Sequence, residues 1–303
     1  MTTPTAAARI LLEGLVDYAG LFPPACLNMV PAVHRYAAHA GSDSAWMLGR
    51  FIVPSSRLDE LEGAASALLP HEPGREPWRL SVLGGTDPAE DAERVWAFNE
   101  RHAQPAAGRA VIDTMELRAA DAAEIDRGAR SVPAGVTAYL EIPIAREPGD
   151  LVRAIAGAGA RAKVRTGGVT ADAFPPPAHL ARFIRVCADA GVPFKATAGL
   201  HHAVRGTYRL TYEPDSATST MYGLLNLFLA AAFAPQGLEL RELERMLEES
   251  DPGAFRFDDR GVAWEGRRAD LADLRDMRTR IATGFGSCSF DEPVAELRSI
   301  HLL

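Results

Sequence analysis

Lysine occurs at only two positions in this chain of 303 residues, Lys163 and Lys195. The basic residues number 32, so the other 30 are arginines. A chain of ordinary composition would carry about fifteen lysines. Drift of surface lysine to arginine accounts for the imbalance, and such drift spares positions where arginine fails. A guanidinium does not deprotonate near neutral pH and forms no imine. Both lysines sit in apolar, strand-like stretches just ahead of a Thr/Gly turn: Ala162-Lys163-Val164-Arg165-Thr166-Gly167 and Phe194-Lys195-Ala196-Thr197-Ala198-Gly199. A lysine turned inward loses solvation, and a second cation beside it disfavours its charge further. Both effects favour the neutral amine, a nucleophile toward carbonyl carbon. Asp113 in AVIDTMEL and Glu141 in YLEIPI are carboxylates suited to proton transfer. The same residues also fit a purely structural arrangement, with the two lysines as buried ion-pair partners of Glu141 and Asp113.

Further groups lie close by in sequence. Arg165 is a planar fork suited to a carboxylate or phosphate. The pair His201-His202 fits acid/base or phosphate-binding groups, metal ligands, or plain loop residues. A metal site would need about three convergent ligands, which His201, His202, Glu141 and Cys288 could supply. Cys288 has no evident base as a nucleophile. The turn Gly284–Ser289 could expose backbone N–H groups to an anion. The segment Asp17–Ala25 is distinctive, and it is expected to plug the floor of the fold or cap its mouth, with no chemistry assigned to Asp17.

The elements that must position these residues alternate. Strand-like runs Met47–Val53, Arg79–Leu83, Ala110–Met115, Val136–Ile144, Ala162–Arg165 and Val192–Ala198 are separated by helical stretches Ser56–Leu69, Pro88–Arg101, Ala119–Gly128, Gly149–Gly157 and Ala178–Ala190. Such alternation means βα units and a parallel sheet. At least six strands without a Gly-x-Gly-x-x-Gly turn favour a closed (β/α)8 TIM barrel over a doubly wound sheet. In a barrel, chemistry sits at the C-terminal ends of the strands, where Asp113, Glu141, Lys163 and Lys195 fall. Residues 1–45 are expected to form an N-terminal helical cap or an extra first unit, with helices Ala6–Val16 and Pro31–His39. Residues 203–283 are expected to form an irregular insertion. It holds a seventh strand near 206–212, an apolar helix Ser216–Phe233, a hairpin Phe255–Glu265 and a helix Arg268–Thr283. The whole chain, 1–303, is expected to be one barrel domain.

The lysine segments resemble those of the deoxyribose-phosphate aldolases. Lys163-x-x-Thr166-Gly167 has the spacing of that family's Schiff-base segment. Phe194-Lys195-x-x-x-Gly199-x-His201 is similar to its second lysine segment, one βα unit on. Phe285-Gly286-Ser287-Cys288-Ser289 is similar to its phosphate-binding turn. The resemblance covers residues 105–200 and the C-terminal turn. It implies a class I aldolase-type barrel with Lys163 as nucleophile, Lys195 depressing its pKa, and Asp113 and Glu141 as proton relay. It also implies Thr166, Gly167, Gly286, Ser287 and Ser289 around the substrate. Arg165 and His201-His202 depart from the family pattern and point to an anionic substrate other than a deoxysugar phosphate.

Composition narrows the function classes. The net charge of −8 disfavours a nucleic-acid or anionic-membrane surface. The most apolar run, Met221–Phe233, holds Gly223 and Asn226 and is too short to span a bilayer. Three cysteines do not make a disulfide framework, and a cytoplasmic location is expected. The leading expectation is a cofactor-free, metal-free lyase acting on a small anionic carbonyl compound. A metal-dependent lyase or hydrolase built on His201/His202 and a non-catalytic small-acid-binding barrel are the rivals. The helix Ser216–Phe233 suits a core or a subunit interface, so a homo-oligomer stays open.

Overall fold

The computed structural model describes residues 3–72 and 74–303. Thirteen strands are described: β1 Val16–Tyr18, β2 Leu48–Pro54, β3 Trp78–Leu83, β4 Ala110–Arg118, β5 Thr137–Glu141, β6 Arg161–Arg165, β7 Phe194–Thr197, β8 Gly206–Arg209, β9 Thr218–Met221, β10 Arg256–Asp258, β11 Gly261–Trp264, β12 Arg267–Asp270 and β13 Ala282–Ser287. Eight of them close a barrel in the order β1-β13-β7-β6-β5-β4-β3-β2. Every barrel pairing is parallel. The protein is a (β/α)8 TIM barrel.

The helices are α1 Ala6–Leu12, α2 Met29–Ala40, α3 Leu58–Ala65, α4 Pro88–His102, α5 Ala122–Ser131, α6 Gly149–Gly157, α7 Pro177–Ala190, α8 Leu224–Phe233, α9 Leu240–Glu248, α10 Leu271–Arg280 and α11 Asp291–Ser299. Helices α2 to α7 each connect one barrel strand to the next. Aspartates open several helices: Asp87 accepts hydrogen bonds from Ala89 and Glu90, and Asp121 from Glu124. These caps satisfy donors that the first helical turn leaves free.

The two ends of the chain differ from the sequence expectation. The N-terminal segment is not only a cap. The expected helix stops at Leu12, and Val16–Tyr18 is the first barrel strand, paired with β2 and β13. A three-residue strand leaves too short an alternation to be read from sequence. The closing turn is likewise the eighth strand, β13, whose glycines Gly284 and Gly286 hide strand character. The expected seventh strand belongs instead to an antiparallel hairpin of β8 and β9 outside the barrel. The expected hairpin near Phe255 gains a third strand, β12. Helix α8 begins only at Leu224, because Thr218–Met221 is the strand β9.

All ten residues of α8 are buried within the single chain, and Phe228 meets Phe285 of β13 at 5.9 Å between ring centroids. The helix is therefore core, which explains its apolar circumference without an interface. Among the described residues no helix is long and apolar enough to cross a membrane.

One buried polar group ties the insertion together. Asn226 is fully buried; its amide nitrogen donates to the carbonyls of Met246 and Glu249, each at 2.8 Å, and its oxygen accepts from the Arg205 N–H at 2.8 Å. Asn226→Leu would keep the volume and orphan three backbone groups. Each such group costs about 1–3 kcal/mol, so urea denaturation is expected to register a loss of at least about 2 kcal/mol. Unchanged stability would show that this knot is dispensable.

Candidate active site

Cross-strand register decides which side chains meet. Residues paired across a parallel sheet project to the same face. Glu141 pairs with Lys163, Lys163 with Lys195, and Lys195 with Gly284, while Arg118 pairs with Glu141 on the other side. One row of the barrel wall thus carries Arg118, Glu141, Lys163 and Lys195. A second row carries Asp17, Gly286, Thr197 and Arg165.

The result is an ionic interior. Lys195 Nζ lies 2.6 Å from Asp17 Oδ2 and 2.5 Å from Glu116 Oε1. Lys163 Nζ lies 2.8 Å from Glu116 Oε2 and 2.8 Å from Glu141 Oε2. Glu116 therefore bridges the two ammonium groups, one on each oxygen, and Ser81 Oγ donates to it at 2.6 Å. Arg165 closes the upper end on Glu141 Oε1 at 3.2 Å.

The charges continue downward. The Arg50 N–H donates to Asp17 Oδ1 at 2.7 Å, and the Arg50 guanidinium lies 4.0 Å from the same oxygen. Arg50 Nε meets Asp113 Oδ1 at 2.5 Å, and Arg79 meets Asp113 Oδ2 at 2.6 Å. Signs alternate from Arg79 through Asp113, Arg50, Asp17, Lys195, Glu116, Lys163 and Glu141 to Arg165.

Both lysines and Glu141 stand where the sequence places them, but Asp113 does not join them. The register of β4 against β3 slips between Ile112 and Thr114, leaving Asp113 as the extra residue of a bulge. It remains in the N-terminal half of the strand, held by Arg50 and Arg79. No ion pair or hydrogen bond joins it to either lysine among the described residues. Glu116, three residues later, takes the position expected of Asp113. Asp17 is the other carboxylate the sequence reading left without a role. Its signal was an acid inside an apolar run, Leu15-Val16-Asp17-Tyr18.

The electrostatics follow the geometry. Burial works against ionisation of Glu116, but Lys163 and Lys195 outweigh it and hold the carboxyl well below the usual range. Burial likewise opposes ionisation of Glu141, and Lys163 and Arg165 hold it low. Burial opposes the charge on Lys195, yet Asp17 and Glu116 raise its pKa above the ordinary lysine value. The expected role of Lys195, a bare cation disfavouring charge on Lys163, is not what the structure has: a carboxylate stands between the two amines.

Two cavities share Leu83, Glu116 and Arg165 of this region in their walls. One, of about 210 Å³, is walled by apolar groups such as Phe22, Ile52 and Val169 and by His201 and Cys288, with Glu116 and Arg165 at its base. The other, of about 650 Å³, contains Lys163, Glu116, Glu141, Arg118, Arg127 and Arg165. Lys163 lines the larger cavity, whereas Lys195 lines neither.

The remaining expected site residues divide. Gly286 lines the smaller cavity. Thr166 is fully buried and donates to the Ala198 carbonyl at 2.5 Å, tying the end of β6 to that of β7. A side chain at Gly167 would run into the Phe174 ring, and one at Gly199, whose φ is +75°, would come within 2.8 Å of Gly167 Cα. Thr166 and Gly167 thus shape the turn and line neither of these two cavities. Ser287 Oγ accepts from the Ser289 N–H at 3.3 Å, and Ser289 Oγ accepts from Glu292 N–H at 3.2 Å, so both hydroxyls serve the entry to α11.

His201 Nδ1 lies 3.0 Å from Glu292 Oε2 and 3.9 Å from Cys288 Sγ, and Tyr212 Oη donates to the same Glu292 oxygen at 3.1 Å. Burial disfavours the imidazolium, but Cys288 and Glu292 outweigh it and push the pKa up to about 9. His202 is turned away, stacked on Tyr208 with ring centroids 3.3 Å apart and bonded to Glu296 at 2.5 Å. Glu141 belongs to the lysines and not to the histidines. Among the described residues no group of three His, Cys, Asp or Glu side chains is placed to hold a metal ion, so the metal arrangement expected of His201, His202, Glu141 and Cys288 does not form.

No family model matches the chain, and no curated protein matches it. Among solved structures, a variant of mandelate oxidase with benzoyl-formic acid is similar at 11% identity, over 92% of this chain and 80% of that one, with a TM-score of 0.36.

Removing one partner of a buried ion pair typically costs about 3–5 kcal/mol, and Glu116→Gln is expected to lose that much. The pH dependence has a definite sign. Glu116 and Glu141 lie below the ordinary 4.5 in the folded protein, so their stabilisation is full above that value and falls as the pH drops below it. Lys195 lies above the ordinary 10.5, so its contribution is full below that value and is lost as the pH rises through the folded pKa. Urea midpoints between about pH 3 and pH 7 should fall on the acid side, less steeply in Glu116→Gln. Equal slopes would remove Glu116 from the centre of the cluster.

Proposed function

We propose that this protein is a lyase that makes or breaks a carbon–carbon bond beside the carbonyl of a small anionic compound, through an imine on Lys163. One observation carries the reading. The two lysines share Glu116, but only Lys163 opens on a cavity, while Lys195 is enclosed beneath it. This is the division expected of a nucleophile and a fixed charge. The short-motif resemblance to deoxyribose-phosphate aldolases supports the same assignment, with Glu116 in the place first given to Asp113.

The cluster suits each step. As a carbonyl compound approaches, the Lys163 ammonium passes a proton to Glu141, and the freed amine adds to the carbonyl carbon. Glu141 returns that proton to the hydroxyl of the resulting carbinolamine, and loss of water leaves an iminium with the same single positive charge as the ammonium it replaces. Its pairing with Glu116 therefore persists, and no charge is stranded in the interior. Lys195 keeps Glu116 ionised throughout. In cleavage, the electrons of the broken bond flow into the iminium and give a neutral enamine. The hydroxyl of the departing fragment yields its proton to His201; in condensation, the His201 imidazolium returns one to the aldehyde oxygen. Glu292 holds Nδ1 of this ring, and His201 lines the smaller cavity. A pKa near 9 supplies the imidazolium that condensation needs at neutral pH, and cleavage draws on the deprotonated fraction.

A second reading has its own support. Every charge in the row has a partner, as it would in a barrel that binds a small acid without transforming it. Borohydride trapping with aldehydes, oxo acids and sugar phosphates separates the two. The imine reading expects a stable adduct on Lys163 and none on Lys195. Lys163→Arg should keep the fold and the charge but abolish trapping and turnover. Ligand-dependent stabilisation with no adduct on any lysine favours the binding protein.

A further inference from the structure

We propose that Arg118 and Arg127 form an anion subsite in the larger cavity, selecting carbonyl substrates that carry a carboxylate or phosphate several bonds away from the carbonyl. The inference rests on the reading of Lys163 as the imine-forming residue and adds the substrate class.

The placement is the first argument. Arg118 pairs in register with Glu141, and Glu141 with Lys163. Adjacent strands lie about 4.8 Å apart, so Arg118 stands two strand spacings, roughly 10 Å, from Lys163 along the wall. Arg127 projects from α5 into the same 650 Å³ cavity. The second argument is charge. The cavity's acids are already engaged: Glu116 and Glu141 hold the lysines, and Glu124 accepts from the Ala120 N–H at 2.7 Å. Arg165 is engaged too, on Glu141. Neither the Arg118 nor the Arg127 side chain makes an ion pair or hydrogen bond among the described residues. Arg118 acts on Glu141 through space only. Two uncommitted planar cations thus face the cavity that holds the nucleophile, and a guanidinium meets an oxyanion with paired, charge-assisted hydrogen bonds.

The third argument is contrast. The smaller cavity on the other side of Glu116 and Arg165 is mostly apolar, walled by Phe22, Pro23, Ile52 and Val169. The two cations of that cavity are already committed, Arg165 to Glu141 and His201 to Glu292, so an anion meets no free guanidinium there. The two compartments assign the anionic carbonyl fragment to the Lys163 side and an uncharged fragment to the His201 side.

Borohydride trapping with matched probes tests this. Levulinate is compared with its methyl ester, and glycolaldehyde phosphate with glycolaldehyde. Each is run on the wild-type chain, on Arg118→Gln/Arg127→Gln, and on a control, Arg130→Gln, at a surface arginine paired with Asp126. The wild type should label Lys163 faster with the charged member of a pair. The charged-to-neutral ratio should fall about ten- to hundredfold in the double variant and stay unchanged in the control. A larger preference within the phosphate pair or the carboxylate pair names the anion.

A ratio that is the same in wild type and double variant, with Lys163 still labelled, overturns the subsite and leaves the imine intact. No adduct from any probe overturns the imine reading, and melting curves with succinate or inorganic phosphate then judge the subsite separately. A rise in Tm lost in the double variant sustains it; no rise, or an equal rise, rejects it.

Discussion

The barrel of this protein is filled by charge, and its architecture answers to that fact. Nine side chains of alternating sign, from Arg79 at the N-terminal end of the strands to Arg165 at the mouth, occupy the axis that branched aliphatic residues fill in most barrels of this kind. Buried charges are tolerable only when each is paired and hydrogen-bonded. Each link in the row depends on the next. Glu116 is tolerable because two ammonium groups share it, and Lys195 because Asp17 and Glu116 flank it. Such a row stabilises less than an apolar core of equal volume would. Its retention accords with a chemical use for the charges.

The demands of this row explain features that look unrelated. The three-residue strand β1 supplies Asp17, without which Lys195 would have one partner. Gly49 has no side chain because a Cβ there would collide with Asp17. The bulge in β4 lets one strand present Asp113 low in the barrel and Glu116 between the lysines. The long connection from β7 to β13, with its buried helix α8, encloses the β7–β13 side. Its hairpin brings Tyr212 onto Glu292 beside the smaller cavity.

The two cavities divide the mouth by character. One is apolar and is closed by His201, Cys288 and the N-terminal loop around Phe22. The other is wider and lined by arginines. Leu83, Glu116 and Arg165 line both, so the charged row contributes to the wall of each.

Much of this was legible in the sequence. Six barrel strands follow from the alternation of β-branched runs with helices, because burial on both faces of a parallel sheet leaves a plain apolar signature. The lysines, Glu141 and Arg165 stand out because an ionisable residue in such a run must be paired or functional. The sequence could not identify β1 and β13 as strands: one is three residues long, and the other is interrupted by glycine. Nor could it choose between Asp113 and Glu116. They lie three residues apart on one strand, and a regular alternation would send them to opposite faces. Only the bulge, a property of how β3 and β4 register, decided which carboxylate meets the lysines. The partners of His201 and His202 come from α11, some 90 residues on, and only chain closure sets that distance. Local composition thus determined which groups had to be buried and paired. Long-range register determined which pairs they formed, because strand pairing is a contact between segments that no local window contains.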